Sequence, residues 1–392
     1  MRSPRLYDTL RRFCLGSFAA LHGADLPFAF EEHGTYGRPT LYEYRPLVRG
    51  FVEAQADRLY VRDDVRQAVA ELLAEPAARI FARAHEGNAP DEGRALYRSV
   101  LVPLLVRTAE GCGGFDWDDA AYDRAYEELE AALYREGHAY GAVAPLVGIS
   151  VGAEIQLGDG LRVRVAAAGE LAAMWPEAGG LLPRRFGREP DRLSVLELER
   201  SVADDAPDAP GELADAVTAL RLATAAPVAA GPVLFERLDW RPYGIRPVLP
   251  IAATAPPGEP TRLDPFRASV AQQLRPRLAL ADEDAALGDA LDRWELALFQ
   301  DDPFRGEQLR HALDSALGDG DGGWAAAMRS AALLGETARE RTSLLDAARE
   351  PTADLVRRLL VAVLLHGNRR ALLRELDTTL LGGERVAQLR AS

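Results

Sequence analysis

The sequence contains no lysine; all 46 of its Lys/Arg-class residues are arginine. Several reaction classes fall with that absence. A Walker A loop places a lysine on the β- and γ-phosphates of a nucleotide. Protein kinases need a strand lysine, pyridoxal-phosphate enzymes a Schiff-base lysine, and Ser-x-x-Lys acyltransferases a lysine beside the serine. None of these can be built here in standard form, so no nucleotide cofactor of the P-loop kind is expected. Cysteine is almost as scarce. Cys14 and Cys112 are the only two, and no C-x-x-C pair exists, which excludes zinc ribbons and thioredoxin-type motifs. No apolar run approaches the roughly 18 residues of a spanning helix, so no membrane association is expected. The opening MRSPRLYDTLRRF carries four arginines and Asp8 without an apolar stretch. The expectation is therefore no signal peptide and a reduced, cytoplasmic setting.

What is present is ordinary globular material. The 392 residues are 48% hydrophobic and 27% charged, enough for two or three domains at ~150 residues each, and whole-chain disorder is excluded. Acids number 60 against 46 bases, a net charge of −14. That balance argues against a non-specific DNA coat, where phosphate contacts dominate. A local basic face could still hold RNA.

Apolar periodicity makes the first ~140 residues helical. Val65, Val69 and Leu72 mark one face of a helix over 62–73, and a second stretch follows Pro76 over 77–84. The segment 95–106 is richly apolar but must bend or break at Pro103. Gly111 to Gly114 is a break, and 116–134 is a helix with acids near its start. Residues 22–50 have no period and read as loop with room for one short strand. Near Pro145 the period changes. Ile149, Val151, Ile155, Leu157, Leu161, Val163 and Val165 flank Gly158-Asp159-Gly160, a hairpin signal. Strands are expected over 193–198, 233–238 and 245–251, a helix over 212–223, and a linker over 253–260. Helices follow to the end, over 284–299, 304–317, 324–334, 338–348, 353–365 and 369–381. Thr352 is the expected N-cap and Gly367 the left-handed cap of the fifth. The expected fold is α+β and mainly helical: a helical N-terminal region over 1–142, a small strand-rich middle domain over 143–260, and a C-terminal helical bundle over 261–392.

Three constellations bear on chemistry. The six histidines are His22, His33, His85, His138, His311 and His366; no two stand at i, i+4 and no H-E-x-x-H occurs. A metal site would have to be assembled from distant segments, so no metal and no cofactor is expected. Gly148-Ile149-Ser150-Val151-Gly152 matches the G-x-S-x-G nucleophile elbow, and Asp239 and His366 would complete a triad in chain order. However, the residues after it, AEIQLGDGLRV, are strand-like with a turn, where an elbow needs a helix. A strand residue flanked by glycines is the preferred reading, and a serine hydrolase on Ser150 the lesser alternative. Finally, Leu355 to Arg374 holds Arg357, Arg358, Arg369, Arg370, Arg374 and His366 without an acid. A basic helix end stabilised by its dipole accounts for such an island. An RNA site, with arginines on phosphate and His366 as acid or base, and a partner surface are the competing readings.

The C-terminal segments are similar to the ApeA-like HEPN helical domain. The resemblance rests on WELALFQDDPFRGEQLRHALDSAL with Ala312-Leu313-Asp314, on Arg329-Ser330-Ala331-Ala332-Leu333-Leu334-Gly335 with Arg341 following, and on DLVRRLLVAVLLHGN with His366-Gly367. Upstream, PLVGISVGAEIQLGDGLRVR and Ala216 to Leu222 resemble the strand-rich portion that precedes the domain, so the likeness spans roughly residues 145 to 380. It implies a HEPN-type bundle, a homodimer paired through helices, and metal-independent ribonuclease activity linked to antiviral defence or toxin systems. It also implies His366 as a catalytic residue; the basic island supplies Arg358 as the candidate catalytic partner and Asn368, Arg369 and Arg370 as the residues expected against RNA.

One departure is evident. The family's nucleases carry an arginine four to six residues before the histidine, whereas here Val361, Leu360 and Leu359 stand five, six and seven before it. Arg358, eight residues back, is ~12 Å of rise and ~80° of rotation away, and Arg357 lies on the opposite face. The expectation is accordingly a prokaryotic cytoplasmic protein with a degenerate ribonuclease motif, serving dimerisation or binding of RNA or a partner. The alternative is an interaction scaffold without a nucleic-acid ligand.

Overall fold

A computed structural model describes residues 3–33, 41–87, 89–135, 137–167, 169–181, 194–202, 207–247, 260–318 and 323–382. The N-terminal region is built from helices whose apolar residues recur every three or four positions. In α1 (Pro4–Leu21), Leu6, Leu10, Phe13 and Phe18 are buried. A hairpin of β1 (Phe28–His33) and β2 (Leu41–Pro46) follows, paired antiparallel. The aperiodic stretch over 22–50 thus holds two strands rather than one, and the start of the next helix. Then come α2 (Val48–Tyr60), α3 (Asp63–Ala74), α4 (Pro76–Glu86) and α5 (Glu92–Leu96). Beyond them lie a π turn over Tyr97–Leu101, α6 (Val102–Cys112) and α7 (Asp119–Tyr134). The bend expected at Pro103 takes the form of that π turn. Proline lacks an N–H and crowds the carbonyl four residues back, and the wider turn just before it removes the clash. Gly113 ends α6 in the left-handed region, and Asp118 caps α7 through the Ala120 N–H.

The middle of the chain supplies an antiparallel sheet. Its strands are β3 (His138–Val147), β5 (Ile155–Gly158), β6 (Leu161–Val165), β7 (Ser194–Val202), β9 (Val233–Leu238) and β10 (Arg241–Pro247), in the order β10-β9-β3-β7-β6-β5. The short β8 (Ala229–Ala230) pairs with the end of β3. The two-residue β4 (Ile149–Ser150) instead runs parallel to β11 (Thr261–Arg262). Short helices α8 (Glu170–Met174) and α9 (Ala178–Leu181), and the longer α10 (Ala209–Thr224), connect the strands. The hairpin expected at Gly158-Asp159-Gly160 is present. The central strand, β3, starts well before the change of period at Pro145, and the boundary expected at 142/143 falls inside it. Gly160 has φ +66, and a Cβ there would sit 2.2 Å from the Glu199 carbonyl oxygen, so only glycine fits the turn. The linker expected over 253–260 lies outside the described residues apart from Pro260.

The C-terminal helices are α11 (Pro265–Leu274), α12 (Ala279–Glu283), α13 (Ala285–Leu298), α14 (Phe304–Leu317), α15 (Gly323–Leu334), α16 (Ala338–Ala347), α17 (Ala353–His366) and α18 (Arg369–Leu380). The chain is α+β and mainly helical. Strand alternation divides its core. One sheet face, with Ala142, Ala144, Leu196, Leu198, Leu161 and Val163, joins α10 and the C-terminal bundle in a single hydrophobic core around Trp294. The other face, with Val143, Val195 and Phe235, packs on Trp175 and Leu171. The N-terminal helices keep a core of their own.

Candidate functional site

The site expected from the sequence lies where α17 meets α18. Leu355, Val356, Leu359, Leu360, Val363 and Leu364 bury one face of α17. Thr352 caps its start by accepting the Leu355 N–H at 3.2 Å, and Gly367 ends it at φ +82. His366, on the last turn, is 15% exposed. Its Nδ1 lies 3.0 Å from the Asn368 carbonyl oxygen and its Nε2 lies 3.4 Å from Glu375 Oε1. Both ring nitrogens therefore face partners within the junction. Asn368 caps α18 by accepting the Ala371 N–H at 2.9 Å.

The arginines separate into two kinds. Arg369 donates to the carbonyls of Ala316 and Ser315 at 2.8 Å and of Gly318 at 3.2 Å, closing the end of α14. Arg357 donates to Asp354 and, at 3.1 Å, to the Leu222 carbonyl. Arg358, Arg370 and Arg374 are exposed. The acid-free island is thus bracketed by two acids just outside it, Asp354 on Arg357 and Glu375 on His366. A small cavity of about 180 Å³ beside Asn368, Arg369 and Arg370 also carries Glu283 and Asp284, a mixed lining that gives a phosphate no clear preference. The structure brings His366, Asn368 and Arg369 together and leaves Arg358 two turns away on the exposed side of α17.

The other residues of the family-like motifs serve packing. Arg329 is buried, donates to both carboxylate oxygens of Asp377 at 2.7 and 2.9 Å, and donates to the Leu317 carbonyl at 2.8 Å. It ties α15 to α18 and to the end of α14. Arg341 donates to the Gly335 carbonyl at 3.0 Å.

Ser150 sits on β4. Its carbonyl accepts the Leu263 N–H at 2.9 Å, and the next element is the β5–β6 hairpin. The helix an elbow requires is missing at this point of the chain. Asp239, its notional triad partner, pairs with other histidines altogether.

Those histidines form a second cluster that carries no local signal in the sequence. His85 lies in the last turn of α4, His138 begins β3, and Asp239 sits in the turn from β9 to β10 at φ +53. Aspartate tolerates this left-handed conformation better than most residues. Asp239 Oδ2 lies 3.0 Å from His85 Nε2 and 2.9 Å from His138 Nδ1, and Oδ1 accepts the Ala139 N–H at 2.9 Å. The side chains of His85, His138 and Asp239 are 3%, 21% and 5% exposed. Burial pushes the His85 imidazole below its ordinary pKa, against the effect of its hydrogen bond to Asp239. Burial works to raise the Asp239 carboxyl, yet the bonds from His85, Ala139 and His138 bring it below its ordinary value. A neutral imidazole and an ionised carboxylate are thus favoured side by side.

Asp239 also lines a cavity of about 460 Å³, with Arg45, Arg49, Arg107, Arg135 and Arg237 facing Glu110, Glu128, Glu170 and Glu197. The buried Glu197 is held by Arg162, Arg164 and Arg237. Arg49 is buried, its Nε has no hydrogen-bond partner among the described residues, and burial disfavours its charge. Arg241, near His85, is paired with Glu86 at 2.8 Å. Single histidines at 85 and 138 give no spacing signal, so only the fold could reveal the cluster. No family model, curated protein or solved structure matches this chain.

Proposed function

We propose that this chain is a HEPN-like protein that does not cleave RNA, acting in a cytoplasmic defence or toxin setting through its helical bundle as a homodimer. The observation that carries this reading is the engagement of His366. A general acid or base must reach the proton it transfers, whereas both ring nitrogens of His366 face Asn368 and Glu375. Arg369, the adjacent cation, is spent on carbonyls at the end of α14. Exposed aromatic side chains on the bundle, Trp324 at 68% and Phe304 at 63%, support pairing with a second copy, and a two-fold dimer is the commonest closed assembly.

A second reading is favoured by the exposed Arg358, Arg370 and Arg374, which could hold RNA phosphates without cutting. The test combines mass and cleavage. Light scattering at micromolar concentration should give twice the 42.6 kDa chain mass, and Trp324→Asp should lower it. Single-stranded RNA should stay intact with the wild-type chain. A monomer mass refutes the pairing, and cleavage that disappears in His366→Ala refutes the non-cleaving reading. Salt-sensitive RNA retention reduced by Arg370→Ala and Arg374→Ala selects the second reading.

A further inference from the structure

We propose that His85, His138 and Asp239 form a three-ligand site for a divalent transition metal of the zinc class. The three donors come from α4, the start of β3 and the β9–β10 turn, and their ligand atoms all lie within 4.8 Å of one another. Zinc–nitrogen and zinc–oxygen bonds of about 2.0–2.2 Å in a tetrahedral shell put donor atoms about 3.3 Å apart. The separations of 2.9 and 3.0 Å from Asp239 Oδ2 to the two imidazoles need to open by only a few tenths of an ångström. Two imidazoles and one carboxylate suit zinc, iron and their neighbours rather than magnesium or calcium, which favour all-oxygen shells.

The support around the ligands is that of a held site. The Ala139 N–H fixes Asp239 Oδ1 and leaves Oδ2 directed between the two rings, the kind of outer contact that orients a ligand. The Phe81 ring lies 4.3 Å from the His85 ring and limits its rotation. Metal entry replaces the two hydrogen bonds to Asp239, and each neutral imidazole carries its single proton on the other ring nitrogen. Three protein ligands leave one position open, the pattern of catalytic rather than structural zinc sites. Asp239 also borders the cavity lined by both arginines and glutamates, so the open position faces a polar space that water can fill.

The competing account is a metal-free clasp, in which the carboxylate simply bridges two imidazoles and holds α4 to the sheet. Titration of the chelator-stripped full-length chain with Zn²⁺ and Co²⁺ separates the two. The site predicts one metal ion per chain, a visible Co²⁺ absorption of low-coordinate type, and a Zn²⁺-dependent rise in melting temperature. Asp239→Asn keeps the turn conformation and the Ala139 contact, and should weaken binding by more than about tenfold, as even outer contacts can. His85→Gln with His138→Gln should abolish binding and the thermal shift. Absence of stoichiometric binding by the wild-type chain overturns the proposal, as does wild-type affinity retained in Asp239→Asn or in the double variant. If the double variant does not fold, Asp239→Asn alone decides.

Discussion

Arg221 on α10 and Glu295 on α13 meet at 2.7 Å, with side chains only 3% and 10% exposed. The Arg221 Nε also donates to the Val228 carbonyl at 2.7 Å, and its guanidinium lies 5.1 Å from the centre of the Phe299 ring. Thr218 donates to the other oxygen of Glu295. The pair thus joins the helix that crosses the sheet to the first long helix of the C-terminal bundle.

Removing one partner strands a buried charge, and Glu295→Ala should lower the unfolding free energy by ~3–5 kcal/mol. Replacing both, as in Arg221→Met with Glu295→Leu, should cost far less, because the desolvation penalty disappears with the charges. Urea unfolding of the three variants measures this. A loss below ~1 kcal/mol for Glu295→Ala would mean that the pair behaves as a solvated surface bridge.

The pH dependence of stability follows from His85. Burial holds its imidazole pKa below the ordinary 6.5. On unfolding below that value the chain takes up a proton that the folded state refuses, so the unfolded state gains with acid. His85 therefore contributes its full share above about pH 6.5, and the share is lost as pH falls toward the folded-state pKa. Asp239 acts in the same sense at lower pH, since its folded-state pKa also lies below the ordinary 3.8. Melting temperatures measured with a chelator present should fall from about pH 7 to about pH 5, and His85→Gln should flatten that slope. An unchanged slope in His85→Gln would assign the effect to another group.

Ser150 should be chemically ordinary. It sits on a two-residue strand paired with β11, and Asp239 is engaged elsewhere. A fluorophosphonate probe should leave the protein unlabelled. Stoichiometric labelling that vanishes in Ser150→Ala would establish a nucleophile there.

Elements with strong local signals were legible in the sequence. The helices over 63–74, 119–134, 285–298 and 304–317 follow from apolar periodicity, and Thr352 and Gly367 cap α17 as their residue types dictate. The strand β3 gave no such signal. Its residues HAYGAVAPLV set small side chains beside Tyr140 and Leu146 and are buried on both faces over most of the strand, so neither alternation nor a β-branched run marks them. The π turn before Pro103 is likewise a compromise between proline and a helical neighbourhood that pattern alone leaves open. At the C-terminal junction the residue types were legible but their engagements were not. Glu375 and the carbonyls at the end of α14 reach His366 and Arg369 through packing alone. The cluster of His85, His138 and Asp239 was the least visible of all. Its members are separated by up to 154 positions, and nothing local distinguishes them from capping or core histidines.

The common hydrophobic core of the sheet and the C-terminal helices has a consequence for how this chain can vary over time. Leu196 and Leu198 of the sheet share one apolar interior with Trp294, Leu313 and Leu360 of the bundle. A bundle seated this way cannot be exchanged between proteins as a detachable cassette, because separating it would expose the sheet face it covers. Change in the two parts must be coupled, with a larger side chain on one side matched by a smaller one on the other. The N-terminal helices close around an interior of their own that, among the described residues, only Trp240 of the sheet borders, so their coupling to the sheet runs through a few polar contacts such as His85 with Asp239 and Glu86 with Arg241, and those positions are the ones that must change together.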